Sequence, residues 1–310
     1  MYELAGKRIW VAGHTGMVGS AVCRRLETED CEILTVPRAE LDLLRQSDVE
    51  AWCAQEKPDA VIVCAARVGG ILANDTYPAD FIYQNLTLET NIIHSAYKTG
   101  VEKLIFLGSS CIYPKHAAQP IKEDALLTGP LEATNEWYAI AKIAGIKLCQ
   151  AYRKQYGCNF ISAMPTNLYG PGDNFDLETS HVVPALLRKA HEAHIHDQKY
   201  MEVWGTGNVR REFLYVDDCA AGIIFLLKNY SDNQHVNLGA GSDITVRELA
   251  EQIKLTAGFA GALKFDPAKP DGTPRKLLDT TLINDLGWQP KVELSKGLCD
   301  TFKWYLDHIT

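Results

Sequence analysis

Hydrophobic residues along this chain follow two alternating rhythms. Short apolar runs occur at KRIWVAG (7–13), CEILTVPR (31–38), DAVIVCAA (59–66), KLIFLGSS (103–110) and NFISAMPTNLYG (159–170), rich in β-branched residues and bounded by turn formers. Between them, Val18–Glu27, Ser47–Glu56 and Asn85–Thr99 carry apolar residues at helical spacing. Strands that are apolar at nearly every position need cover on both faces, and the alternating helices supply it. The pattern therefore predicts an α/β fold built on a doubly wound parallel sheet. After Gly170-Pro171-Gly172 the rhythm loosens to a helix over Ser180–His194, a strand at 201–205, a helix over Thr245–Phe259 and a Pro/Gly-rich stretch at 266–276. We expect residues 1–170 to form the sheet domain, with the chain returning to it around 213–241, and the rest of 171–310 to form a smaller lobe facing the strand ends.

Composition narrows the classes of partner. A chain of 310 residues, 46% hydrophobic and 23% charged, is long enough for one large domain carrying a smaller one. A net charge of -8 argues against nucleic acid or an anionic membrane surface as the main partner, while leaving room for a local cationic site. No apolar stretch approaches the roughly 20 residues of a membrane span, and MYELAGKRIWVAGH leads straight into a strand, so a cytoplasmic location is expected. Nine scattered cysteines without CxxC or Cys/His spacing read as reduced thiols, with neither a disulfide framework nor a metal site.

The first chemical motif is Gly13-His14-Thr15-Gly16-Met17-Val18-Gly19, between the first strand and the first helix. Glycines there let the chain turn tightly and bring backbone N–H groups up to a pyrophosphate seated on the helix N-terminus. His14 within the loop is expected to hydrogen-bond locally. The second strand ends at Arg38 without an acidic residue for a free ribose hydroxyl, which favours NADP (NADPH) over NAD; stacking of Arg38 on the adenine is the alternative. The second motif is Tyr138-Ala-Ile-Ala-Lys142, whose spacing puts both side chains on one helix face. An ammonium near a phenol favours the phenolate and is expected to lower the phenol pKa from about 10 toward the working range of an acid–base catalyst.

With Ser109 at the end of the intervening strand, these motifs resemble the extended short-chain dehydrogenase/reductase family, which carries a Ser/Tyr/Lys triad on a Rossmann fold and acts mostly on nucleotide sugars. The resemblance makes Tyr138 the proton donor or acceptor at the reacting carbinol oxygen, Lys142 the holder of the nicotinamide ribose, and Ser109 a hydrogen-bond partner of the substrate oxygen. It extends over essentially the whole chain through GSSCIYPK (108–115), NDTYPADFIYQN (74–85), NEWYAIAKIAG (135–145), MPTNLYGPGDNF (164–175), SHVVPALLRK (180–189) and KPDGTPRK (269–276). Those stretches are similar to members that invert C3 and C5, and reduce C4, of a GDP-linked 4-keto-6-deoxy sugar. Thr15 departs from that pattern, where an Arg is expected, and leaves Arg38 as the main clamp on a 2′-phosphate.

Inverting two carbons beside a ketone needs one group to remove a proton and another to return one on the opposite face. The resemblance supplies Cys111 and His181, both of which titrate near neutrality. Ser180 is the expected cap of the helix that begins beside His181. The resemblance also implies that Pro165, Thr166, Asn167 and Leu168 line the nicotinamide and sugar with Lys142 and His181. For the GDP-sugar it implies Lys189 and Arg211 at the diphosphate, Trp204 against base or ribose, and Asp271 accepting from ribose or base donors. A homodimer through helices near 80–99 and 136–156 is implied as well. A 4-epimerase or 4,6-dehydratase of the same family, and a cofactor-binding regulator without catalysis, stay open as alternatives.

Overall fold

The computed structural model describes residues 1–269 and 271–309; Pro270, inside the 266–276 stretch, and Thr310 lie outside the described residues. Along the chain the strands are β1 (Lys7–Ala12), β2 (Cys31–Leu34), β3 (Ala60–Val63), β4 (Lys103–Leu107), β5 (Asn159–Pro165), β6 (Asn167–Tyr169), β7 (Tyr200–Trp204), β8 (Arg210–Tyr215), β9 (Val236–Leu238), β10 (Asp243–Thr245), β11 (Ala262–Asp266) and β12 (Arg275–Lys276). The helices are α1 (Met17–Leu26), α2 (Gln46–Glu56), α3 (Ile71–Thr76), α4 (Pro78–Lys98), α5 (Glu136–Tyr156), α6 (Val182–Ile195), α7 (Val216–Asn229), α8 (Val246–Thr256), α9 (Thr281–Asp285) and α10 (Leu294–His308).

Six parallel strands in the order β2-β1-β3-β4-β5-β9 form the main sheet. Alternate residues of each strand face opposite sides: Ile9, Ile62 and Ile105 join one core with α1 and α7, while Trp10, Val61 and Phe106 join another with α2, α4 and α5. That two-sided burial is why the strands read as unbroken apolar runs. The fold is therefore the Rossmann-type doubly wound sheet that the sequence pattern predicts. A third core gathers α6, α8, α10 and the short strands around them.

The direction of winding reverses between β1 and β3, which opens a crevice at their carboxyl ends. Gly13 closes β1 there with φ +89, and a Cβ on it would sit 2.6 Å from the Ala65 backbone nitrogen, so only glycine lets the two strand ends approach.

Four boundaries depart from the expected ones. The second strand stops at Leu34, because β2 is the sheet edge and pairs only with β1 up to that residue. The 159–170 run splits at Thr166: β5 stays in the main sheet, and β6 pairs instead with β8. The helix expected from Asn85 starts at Pro78, where proline's missing N–H costs nothing in the first turn. Ser180 is not the cap of α6; His181 holds that position in an extended conformation, and the Ser180 hydroxyl is buried without a hydrogen-bond partner. The Asp176 carboxylate folds the preceding loop by accepting from the amides of Glu178 and Thr179, which carries the chain past Ser180 before the helix begins.

Candidate active site

The crevice end of α1 is built to receive an anion. Gly16 is the N-cap at φ -76, and a Cβ there would meet only the Gly13 carbonyl, at 3.6 Å. Neither backbone strain nor packing demands glycine at this position, so its missing side chain leaves open the space in front of the helix. The first turn of α1 carries no acidic residue to compete for the free N–H groups. The residues present thus fit a dinucleotide diphosphate. Thr15 and Arg38 are exposed, as a clamp on a peripheral phosphate requires. His14 differs from expectation: it makes no hydrogen bond among the described residues.

Lys142 lies on the buried face of α5 only 2% exposed, with its ammonium 5.9 Å from the Tyr138 ring centroid and 4.6 Å from that of Phe106. Across from it, the Glu89 carboxylate of α4 sits 3.8 Å away and is fully buried. The expected lowering of the Tyr138 pKa is not what the ligand-free site gives. Burial pushes the phenol well above its usual value, and Cys111 and Glu89 add to the rise. Glu89 also offsets the Lys142 charge that was expected to act on the ring. The resting Tyr138 is therefore a protonated phenol, the form a proton donor needs.

Ser109 ends the β4 run and caps the short turn that follows, its hydroxyl accepting from the Cys111 amide at 3.5 Å. This turn points the chain back toward α5 and buries Cys111 to 7% exposure. Burial pushes the Cys111 thiol up, while Lys276, Ser109 and Lys142 pull it down. His181 stands at the start of α6, where burial and then Lys276 hold its imidazole below the usual range. Lys276 is thus the cation shared by Cys111 and His181, and its charge favours the proton-free form of both. Lys276 itself is held below the usual lysine range by burial, against the upward pull of Cys111.

The C-terminal residues form an adjoining polar wall. Arg211 donates to the backbone carbonyls of Arg210 at 2.8 Å and Asp271 at 3.0 Å, and it lies close enough to Lys276 to press its pKa down. The Asp271 carboxylate is already engaged, accepting from the Thr206 amide and hydroxyl, each at 2.8 Å. Trp204 is 44% exposed and lies between two ammonium groups, Lys189 at 4.9 Å and Lys269 at 5.0 Å from its ring. Asn167 directs its amide to the Glu212 carbonyl at 2.8 Å, which fixes the Pro165-Thr166-Asn167-Leu168 segment between β5 and β8. The structure therefore brings Ser109, Cys111, Tyr138 and Lys142 together, with His181 linked to them through Lys276 and with Arg211 also beside Lys276; Lys189, Trp204 and Asp271 lie on the C-terminal lobe.

Lys276, Lys269 and Glu89 are not singled out by the sequence reading. For Glu89 a signal exists: a carboxylate among Leu88, Ile92 and Ile93 on the buried stripe of α4. Lys276 has none, because its neighbours come from distant parts of the chain. Among the described residues no group of three or more His, Cys, Asp or Glu side chains is placed to hold a metal ion, no helix is long and apolar enough to cross a membrane, and all nine cysteines are free.

Residues 9–239 match the NAD dependent epimerase/dehydratase family. The chain belongs to that family. It is 62% identical over 309 residues to the GDP-L-fucose synthase of Sinorhizobium fredii, covering 100% of this chain and 98% of the relative. A GDP-6-OMe-4-keto-L-xylo-heptose reductase from C. jejuni superposes with a TM-score of 0.92 at 36% identity, covering 97% of this chain and 98% of the other. A GDP-L-fucose synthetase from Naegleria fowleri, solved bound to NADP, superposes with a TM-score of 0.91 at 28% identity, covering 99% and 96% of the two chains.

Proposed function

We propose that the protein converts GDP-4-keto-6-deoxy-D-mannose to GDP-L-fucose by 3,5-epimerisation followed by NADPH-dependent reduction at C4. The observation that carries this reading is the pairing of Cys111 with His181 about Lys276, beside the Ser109, Tyr138 and Lys142 cluster. A simple 4-epimerase needs only the latter three. Two further proton-exchanging groups are what inversion at two carbons requires.

The C4 ketone acidifies the hydrogens on C3 and C5. At each centre one of Cys111 and His181 removes the proton, giving an enolate, and the other returns a proton to the opposite face. Ser109 donates a hydrogen bond to the C4 oxygen and carries part of the enolate charge. When bound, NADPH supplies the hydride that reduces C4. Tyr138 gives its phenolic proton to the developing C4 alkoxide, and the Lys142 cation stabilises the phenolate left behind. Arg211 and Lys189 face the substrate diphosphate, with Trp204 against the nucleoside. In this reading residues 1–170 with 213–241 hold the cofactor and the remainder of 171–310 holds the GDP-sugar. Exposed Tyr83, Trp137, Ile140 and Tyr156 on α4 and α5 favour a homodimer through those helices.

Mixing the protein with NADPH and GDP-4-keto-6-deoxy-D-mannose tests the reading: stoichiometric NADPH oxidation with GDP-L-fucose as product is expected. Cofactor binding without turnover would leave a regulator, and sugar interconversion without net NADPH consumption would leave a 4-epimerase.

Two smaller effects follow. Arg38→Ala should weaken NADPH binding while leaving NADH affinity unchanged, because only the former carries the 2′-phosphate. Fluorescence titrations with both cofactors check this, and equal native affinities for the two would remove its basis. Lys276→Met removes the cation shared by Cys111 and His181. It should slow exchange of the sugar's C3 and C5 hydrogens with solvent by about tenfold, the effect of about one pKa unit; proton NMR in deuterated buffer measures it.

A further inference from the structure

Glu89 is used by no step above, yet its placement is costly. Both of its carboxylate oxygens are buried without a well-formed hydrogen bond, and the Gly145 backbone N–H offers only a weaker polar contact. A buried carboxylate so poorly supplied with donors is penalised unless a cation compensates it. The one cation placed to do so is Lys142, 3.8 Å away and itself only 2% exposed at its side chain. The distance is too long for a hydrogen bond, so the two groups act on each other as charges. The other titratable groups in reach of the pair are Cys64 at the end of β3, Cys111 beyond β4, and Tyr138 and Cys149 on α5; none is a cation.

From this juxtaposition we propose that Glu89 is a positioning residue: its carboxylate keeps the Lys142 ammonium charged and anchored on the α4 side until substrate and cofactor arrive. The inference rests on the reading of Lys142 given above. Burial by itself drives Lys142 toward the neutral amine, and Glu89 is the largest influence opposing it, ahead of Cys111 and Cys64. Burial pushes the Glu89 carboxyl up to about 8 even with Lys142 as the main influence holding it down, so the two groups titrate together and the carboxylate supports the Lys142 charge most on the alkaline side, where the amine would otherwise lose its proton. A neutral amine could neither stabilise the Tyr138 phenolate nor hold a ribose hydroxyl as a charge-assisted donor.

The test starts with cofactor-free protein, in which the Lys142 side-chain carbon next to the nitrogen is titrated by 13C NMR and assigned by its loss in Lys142→Arg. In Glu89→Gln the Lys142 midpoint should fall by about one pKa unit or more, a tenfold change in the protonation equilibrium. Glu89→Asp, which keeps the charge, should recover at least half of that shift. With substrate, the basic limb of kcat for reduction should move down by the same amount in Glu89→Gln while KM for the GDP-sugar stays within about twofold, a split that lost packing does not produce. A folded Glu89→Gln protein whose Lys142 midpoint and kcat profile match the native ones would overturn the proposal. Should that variant fail to fold, the native protein decides: coupled titrations of the Glu89 and Lys142 carbons support the pair, and independent ones refute it. Because the titration needs no ligand, its failure is distinguishable from failure of the GDP-sugar assay.

Discussion

Tyr138→Phe should lower kcat for NADPH oxidation by about two orders of magnitude or more, the range for loss of a general acid. The substitution removes one oxygen and keeps the ring, so the edge contact with Phe81, at 6.4 Å between centroids, and the helix around it are retained. What is lost is the proton that must reach the C4 oxygen as hydride arrives at C4. Lys142, one helical turn along α5, is placed 3.8 Å from Glu89 on α4 rather than in the phenol's position. The pH dependence has a defined sign. Burial raises the phenol well above its ordinary value, so the donor stays protonated through the neutral range, and activity should fall only on the alkaline side. Stopped-flow absorbance with saturating NADPH measures the rate, and circular dichroism verifies the fold. Near-native turnover in a folded variant would make Tyr138 a packed aromatic and dissolve the triad.

Legibility from sequence followed the range over which each signal acts. The main strands were readable because β3 and β4 are buried at every position, and a fully buried strand writes itself as an unbroken apolar run. The trimmed β2 was not, because ending a strand depends on its neighbour: pairing with β1 ends at Trp10 and Leu34, although β1 itself runs on to Ala12 against β3. Likewise β12, two residues within a Pro/Gly-rich stretch, exists only because β8 lies beside it. The start of α4 was masked by Tyr77-Pro78, which reads as a turn yet opens a helix with proline in its first turn.

The site divides the same way. Tyr138 and Lys142 are one helical turn apart, so their spacing carries the geometry. Cys111 and His181 lie on different elements, and nothing local connects them; family resemblance paired them, and the structure adds the physical link, Lys276 on β12. The direction of the Tyr138 pKa was misjudged because spacing reports the neighbouring charge but neither the burial of the phenol nor the Glu89 carboxylate facing that charge.

Cys111→Ser should abolish hydrogen exchange at C3 and C5 without abolishing reduction. With NADP⁺ bound in place of NADPH the enzyme cannot reduce the ketone, so the keto sugar should cycle through its enolates and take deuterium from solvent at both positions. The thiol's pKa is raised on balance, with burial the largest influence and the neighbouring donors and cations limiting the rise. Burial raises it; Lys276, the Ser109 hydroxyl and Lys142 lower it. Serine keeps nearly the same volume in the buried turn, so folding should be unaffected. Its hydroxyl is far too weak an acid for those neighbours to bring into range. Exchange measured by proton NMR should therefore fall by about two orders of magnitude or more. His181→Asn should do the same or halt after one proton step, since burial and Lys276 hold its imidazole below the usual range and so in the neutral, proton-accepting form. Both variants keep Ser109, Tyr138 and Lys142, so slow NADPH oxidation should persist and yield a reduced sugar of uninverted configuration. A folded Cys111→Ser protein that exchanges both hydrogens at the native rate would show that the thiol only packs, and that inversion, if it occurs, uses another group.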